Sequence, residues 1–128
     1  MTVLAEAIST LHTELTDGGN RPLASLRAVK VAAVYDHEPG FAGLPTNVSV
    51  TIAPAPQCMN ATDVTVRVRL YAKVNDPKTA QDALVAALDV LDDLPSDSYS
   101  HAGWEYGYIE ELGCFVAFTD IAYPRDDL

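Results

Sequence analysis

Residues 63–74 constrain the fold more than any other stretch. Val64, Val66, Val68, Leu70, Ala72 and Val74 alternate with Thr65, Arg67, Arg69, Tyr71 and Lys73. Successive side chains of an extended strand point to opposite faces, so this run predicts a strand with one apolar and one polar face. Its twelve residues exceed the usual strand length of about 5–6. A strand that long is expected to outrun its neighbours. The apolar face needs cover, and the polar face carries three of the chain's eight bases.

The rest of the chain supplies that cover. Leu4, Ile8, Leu11 and Leu15 recur at helical spacing, and Asp17-Gly18-Gly19 ends this helix, because glycine tolerates the left-handed closing turn. Asp76 caps a second helix with Pro77 at its first position. Its stripe is Ala80, Leu84, Ala87, Leu88, Leu91 and Leu94, and Pro95 stops it. Further strands are expected at residues 28–35 and 47–52, and at 104–112 and 114–123 around a turn at Leu112-Gly113. Val48, Val50 and Ile52 alternate with Asn47, Ser49 and Thr51, which predicts one wet face. The run from Ala53 to Asn60 holds Pro54 and Pro56 and is expected as a loop or hairpin tip, since proline donates no ladder bond. Residues 96–103 read as a linker and 124–128 as a loose tail. The order is helix, three strands, helix, two strands, and no strand-helix-strand unit repeats. The expected fold is α+β, one domain over residues 1–128. Its expected form is a mostly antiparallel mixed sheet of four to five strands, with two helices packed on one face.

Charge narrows the function. The net charge is −10, and all of that excess falls in the last 54 residues, where twelve acids face only Lys78 and Arg125. Residues 1–74 are balanced, with six acids and six bases. Gripping nucleic acid takes a cation at each phosphate, so an acidic chain is not expected to bind it directly. Charge does not draw it to anionic membranes either. Asp89, Asp92 and Asp93 crowd the C-terminal half of the second helix, where the helix dipole disfavours negative charge by up to about 1 kcal/mol. A sequence chosen for helix stability alone would place lysines there, so two readings stand: the plainer one of a solvated, solubilising face, and a sharper one of a surface that repels something negative. No apolar run approaches the roughly 20 residues that span a bilayer. No basic start followed by an apolar stretch marks a secretory leader, so a cytoplasmic chain is expected.

No arrangement of residues announces chemistry. His12, His37 and His101 are scattered, and no CxxC or helical i, i+4 histidine pair offers a metal site. Cys58 and Cys114 are too few for a disulfide framework, and Cys114 is expected reduced in the core. Glu105, Glu110, Glu111 and Asp120 surround a hairpin, where carboxylates are usually just solvated. Trp104, Tyr106, Tyr108, Phe115, Phe118 and Tyr123 fit core packing or a protein interface better than base stacking beside so much acid. No catalytic residue, metal or cofactor is implied.

The order of elements resembles the tail terminator (tail completion) proteins of long-tailed phages of actinobacteria. The residues that carry the resemblance are the opening helix, the strand at 29–35, the run Leu44-Pro45-Thr46-Asn47-Val48-Ser49-Val50, the long strand at 64–74, the Asp76-Pro77-led helix and the closing hairpin at 104–123. The resemblance spans nearly the whole chain. It implies a subunit of a hexameric ring, assembled in the host cytoplasm and carried at the head-proximal end of the virion tail. Such a ring caps the tail tube, ends its polymerisation and joins the head connector, or neck, while DNA passes through without specific binding. The implied partners are copies of the chain itself, the tail tube protein and the connector; no membrane is involved.

Two expectations place residues in that role. Acids lining the hole would keep duplex DNA, with one charge per about 1.7 Å of axis, from adhering. The candidates are Asp82, Asp89, Asp92, Asp93, Glu105, Glu110 and Glu111. The basic face of the long strand, Arg67, Arg69 and Lys73, is expected to meet acids of a neighbouring copy. A head-to-tail contact of that kind closes into a ring when its rotation allows. Other readings of the same residues are a head-closure, neck or other tail protein, or a non-viral α+β domain that binds a ligand or partner.

Overall fold

The computed structural model describes residues 3–16, 31–74, 76–92, 100–101 and 103–124. Along them run α1 (Val3–Thr16), β1 (Val31–Tyr35), a 3-10 turn (Phe41–Gly43), β2 (Asn47–Met59) and β3 (Asp63–Lys73). They are followed by α2 (Pro77–Asp92), β4 (Ser100–His101), β5 (Glu105–Ile109) and β6 (Cys114–Pro124). The expected helix stop at Asp17-Gly18-Gly19, the start of the first strand at residues 28–30, the end of the second helix at 93–95 and the tail at 125–128 lie outside the described residues.

Strict alternation sets β3 at the centre. Its residues are buried and half-buried in turn from end to end. β2 and β6 pair with it antiparallel on either side, and β1 joins β2 in parallel. β5 and the two-residue β4 both pair with β6 on its far edge, so they share one position in the sheet. The result is a mixed, mostly antiparallel sheet with two helices, the α+β fold expected.

Both helices lie on the face that presents Val64, Val66, Val68, Leu70 and Ala72. Against these residues pack Ala7, Leu11 and Leu15 of α1 and Ala80, Leu84, Ala87 and Leu91 of α2. Val48, Val50, Ile52, Ala117, Ile121 and Tyr123 complete the same core from the flanking strands. Burying each valine, leucine or isoleucine among them is worth about 1.5–3 kcal/mol. Asp76 caps α2 as its sequence requires: its carboxylate accepts the Thr79 backbone N–H at 3.1 Å and the Thr79 hydroxyl at 2.6 Å. These bonds hold the Asp76 carboxyl below its ordinary value. No helix of the described residues is long and apolar enough to cross a membrane.

Three local expectations are corrected along the strands. β2 does not stop at Ile52 but continues through both prolines to Met59, with Pro54 opposite Val66. β1 pairs β2 only as far as Thr51, so beyond that point one side of β2 is an edge, where a missing donor costs nothing. The register slips between Pro54 and Met59, and the Asn60 side chain then accepts the backbone N–H of Thr62 at 2.8 Å and of Asp63 at 2.7 Å to close the turn. The linker at 96–103 contains β4, a strand too short to leave a pattern. The closing hairpin forms, but its first strand ends at Ile109 and not at 112, because the turn takes all of residues 110–113, with Gly113 at φ 65 and its N–H on the Ile109 carbonyl at 2.8 Å.

Leu84 is fully buried on the sheet side of α2, whereas its neighbour Val85 is 44% exposed. Leu84→Ala should therefore cost about 2–5 kcal/mol, and Val85→Ala no more than about 0.5 kcal/mol. Urea denaturation of the two variants checks this; equal losses would contradict the packing of α2.

Candidate assembly surface

The face of the sheet away from the helices is ordered in rows across β2, β3 and β6. Pairing sets Ala53, Arg67 and Asp120 in one row, then Thr51, Arg69 and Phe118, then Ser49, Tyr71 and Val116, and finally Asn47 beside Lys73. The three bases singled out in the sequence thus stand on this face, each in its own row.

Arg67 is held by the sheet itself. Its guanidinium donates to both Asp120 oxygens, at 2.7 and 3.0 Å, and lies 4.2 Å from the centre of the Phe118 ring. The hydrogen bonds to Asp120 raise its already high pKa, and the nearby charges of Asp120 and Glu105 add to them. A two-pronged pair of this kind fixes geometry as well as charge.

Arg69 and Lys73 are held by the segment that links β1 to β2. Glu38 reaches back over the sheet and accepts the Thr51 hydroxyl, the Arg69 guanidinium at 3.2 Å and the Tyr71 hydroxyl at 3.1 Å. Lys73 donates to the Phe41 carbonyl at 3.2 Å and the Leu44 carbonyl at 2.9 Å, and its ammonium stands 5.0 Å from the Phe41 ring. Gly40 and Asn47, at the two ends of this stretch, both have left-handed backbones, with φ 84 and 87.

This covering segment overturns a fourth expectation. Ser49 and Thr51 are fully buried, where alternation predicted a wet face. Thr51 is satisfied by Glu38, but the Ser49 hydroxyl is buried with no partner. Such an orphan costs about 1–3 kcal/mol. Glu38 was invisible as a functional residue among the turn formers Glu38-Pro39-Gly40. No local pattern marks it: of the three bases only Arg69 takes its carboxylate from the first 74 residues, while Arg67 takes Asp120 and Lys73 takes two carbonyls.

The five of the seven acids whose side chains are described do not share one surface. Asp82 and Asp89 are exposed on α2, on the helix side of the sheet, and Asp82 pairs with Lys78 at 3.1 Å. Asp92 ends α2 and Asp93 follows it, and the side chains of both lie outside the described residues. Glu105 pairs opposite Phe118 and so stands on the other face of the sheet. Glu110 and Glu111 are exposed in the β5–β6 turn, and neither forms an ion pair among the described residues.

A second exposed feature borders β5. Tyr106 and Tyr108 are about half exposed and flank Phe115, with ring centres 5.7 and 5.0 Å from it. A shallow groove of about 420 Å³ follows the strand, lined by Glu105, Gly107, Ile109, Val116 and Phe118 together with the two tyrosines.

Among the described residues no three His, Cys, Asp or Glu side chains gather to hold a metal. His12 Nε2 sits 3.3 Å from the Val34 carbonyl, tying α1 to β1, and His37 pairs with Asp36 at 3.0 Å. Cys114 is buried and free, as expected, and burial pushes its thiol pKa up.

The class these features define is a small α+β chain with a mixed sheet, helices on one face and an ordered polar network on the other. Among solved structures it is similar to a chain in the virion of a native gene transfer agent (GTA) particle, with a TM-score of 0.52 and 16% identity. The likeness covers 94% of this chain and 92% of that one, and at this identity it shows a shared fold. No protein-family model matches the sequence, nor does any curated protein.

Burial, and after it the charge of Glu38, push the Tyr71 pKa up to about 12 from an ordinary 10.0. The fold thus holds this proton more tightly than the unfolded chain does. The resulting stabilisation is complete below about pH 10 and is lost as the pH climbs towards about 12. Tyr71→Phe should lose stability less steeply across that window in urea denaturation at stepped pH. Identical slopes would place Tyr71 in an ordinary solvated setting.

Proposed function

We propose that this chain is a virion structural protein of the long-tailed phage type, and within that class the tail terminator. Copies of it form a hexameric ring on the finished tail tube, end tube growth and join the tube to the connector at the head-proximal end. DNA passes through the ring without specific binding. The observation that carries this reading is the fold likeness to a virion chain over nearly the full length of both proteins. The net charge of −10 agrees with it, because a passage for DNA must not hold phosphates.

The division of the acids suggests a division of labour. Asp82 and Asp89 lie seven residues apart on one exposed face of α2, and the sequence continues that acid into Asp92 and Asp93. This set is assigned to the passage. Glu105, Glu110 and Glu111, on β5 and its turn, are assigned to contacts between copies, opposite Arg69 and Lys73 of β3.

Electron microscopy of particles made with and without the protein tests the role. Without it, tails should vary in length and remain unattached to heads, and added protein should cap them. Tails of normal length beside leaking heads would favour a neck or head-closure protein instead. The passage has its own test: Asp82→Lys with Asp89→Lys should slow DNA release while tail number and length stay normal. Unchanged release kinetics would remove α2 from the passage.

A further inference from the structure

We propose that residues 38–46 form a detachable strap, and that the patch beneath it receives the acidic β5–β6 turn of a second copy of this chain. The inference rests on the reading that copies associate, though not on their place in a virion.

The strap is fastened almost entirely by polar contacts at its two ends. Glu38 takes three hydrogen bonds from the sheet at one end, and Lys73 donates two to the strap at the other. Between them the only buried apolar anchor is Leu44. Each end has a left-handed residue, Gly40 and Asn47, at which the chain direction can change by rotation about few bonds. Beneath it lies a strip of polar groups, Ser49, Thr51, Arg69, Tyr71 and Lys73. The buried Ser49 hydroxyl, in the row between the two fastenings, has no partner while the strap is closed. Opening returns that hydroxyl to hydrogen-bonding company, which keeps closure from being strongly favoured.

Charge complementarity identifies the occupant. Closed, the strip holds one carboxylate, Glu38, on Arg69 and Tyr71. Open, it offers Arg69 and Lys73 to another acid. Elsewhere on the same chain Glu110 and Glu111 project from a tight hairpin turn and make no ion pair among the described residues. Glu38 thus stands in for a neighbour's carboxylate. Two different patches that fit one another make a head-to-tail contact, the kind that closes into a ring. Arg67 takes no part, because Asp120 on the adjoining strand holds it in either state.

Two variants open the strap by independent routes. Glu38→Gln keeps the shape and removes the charge. Gly40→Ala changes no charge, and nothing lies within 4 Å of the added methyl, so it acts only by straining a backbone at φ 84. Both should remain folded by circular dichroism. Hydrogen exchange over residues 41–46 should quicken by about tenfold, since a lone 3-10 turn does not persist away from the sheet. Sedimentation velocity of the pure chain at low salt should show self-association tightened by a similar factor in both variants. Adding Glu110→Lys and Glu111→Lys should cancel that gain. Unchanged exchange would refute the strap. Faster exchange without tighter association, or association indifferent to the turn's charge, would refute the receptor. None of these results depends on tails, so they stand or fall apart from the terminator reading.

Discussion

The fold depends on the burial of one face of β3. Val64, Val66, Val68, Leu70 and Ala72 form a continuous apolar strip, each at most 2% exposed. Both helices dock on that strip, and both neighbouring strands take their register from it. A one-residue slip would turn all five inward side chains to the outside and bring Arg67, Arg69 and Lys73 against the helices. The bases on the outer face are therefore a register lock as well as a surface, since burying an unpaired cation costs far more than any misplaced valine.

What the outer face does with those bases separates two kinds of surface on one strand. Arg67 and Asp120 sit on adjacent strands in the same row, so their pairing follows from the ladder and moves only with it. Arg69 and Lys73 are answered from the β1–β2 connection, which is tied to the sheet through the very contacts that answer them. The first arrangement is rigid by construction. The second exchanges loop order for charge neutralisation, and each end of the loop is as stable as a few partly exposed polar contacts. Exposed ion pairs contribute only about 0–1 kcal/mol each, while the orphaned Ser49 hydroxyl works against them.

Strong periodicity is what made the architecture legible. The alternation of β3, the capped start of α2 and the glycine turn before β6 each follow from local chemistry, and the helices fell where their leucines recur. The misreadings arose where tertiary context outweighs local pattern. Pro54 is compatible with a strand only because β1 ends its pairing at Thr51, a fact about a neighbour. Ser49 and Thr51 look solvated in any local window; a segment that precedes them in sequence covers them. β4 has two residues and no period to detect. For the candidate surface, sequence located Arg67, Arg69 and Lys73 on one face but not their partners, because Asp120 is 53 residues from Arg67 and Glu38 is 31 from Arg69.

The acids follow the same logic from the other side. An excess of ten negative charges confined to one stretch of sequence invites the picture of one acidic surface. The topology denies it, because α2 lies on the helix side of the sheet while Glu105 stands on the opposite face. The ring proposed for this chain would have to present a repelling lining and a set of attracting contacts at once. Splitting the acids between a helix and a hairpin meets both demands. Lys78 is the one Lys or Arg among the described residues that follow β3, and it pairs with Asp82, which leaves Asp89 without an ion pair among the described residues. The hairpin acids are carried on a tight turn, closed by the Gly113 N–H on the Ile109 carbonyl. Repulsion needs many charges in rough position, whereas docking needs few in definite position, and the secondary structure under each group suits the task proposed for it.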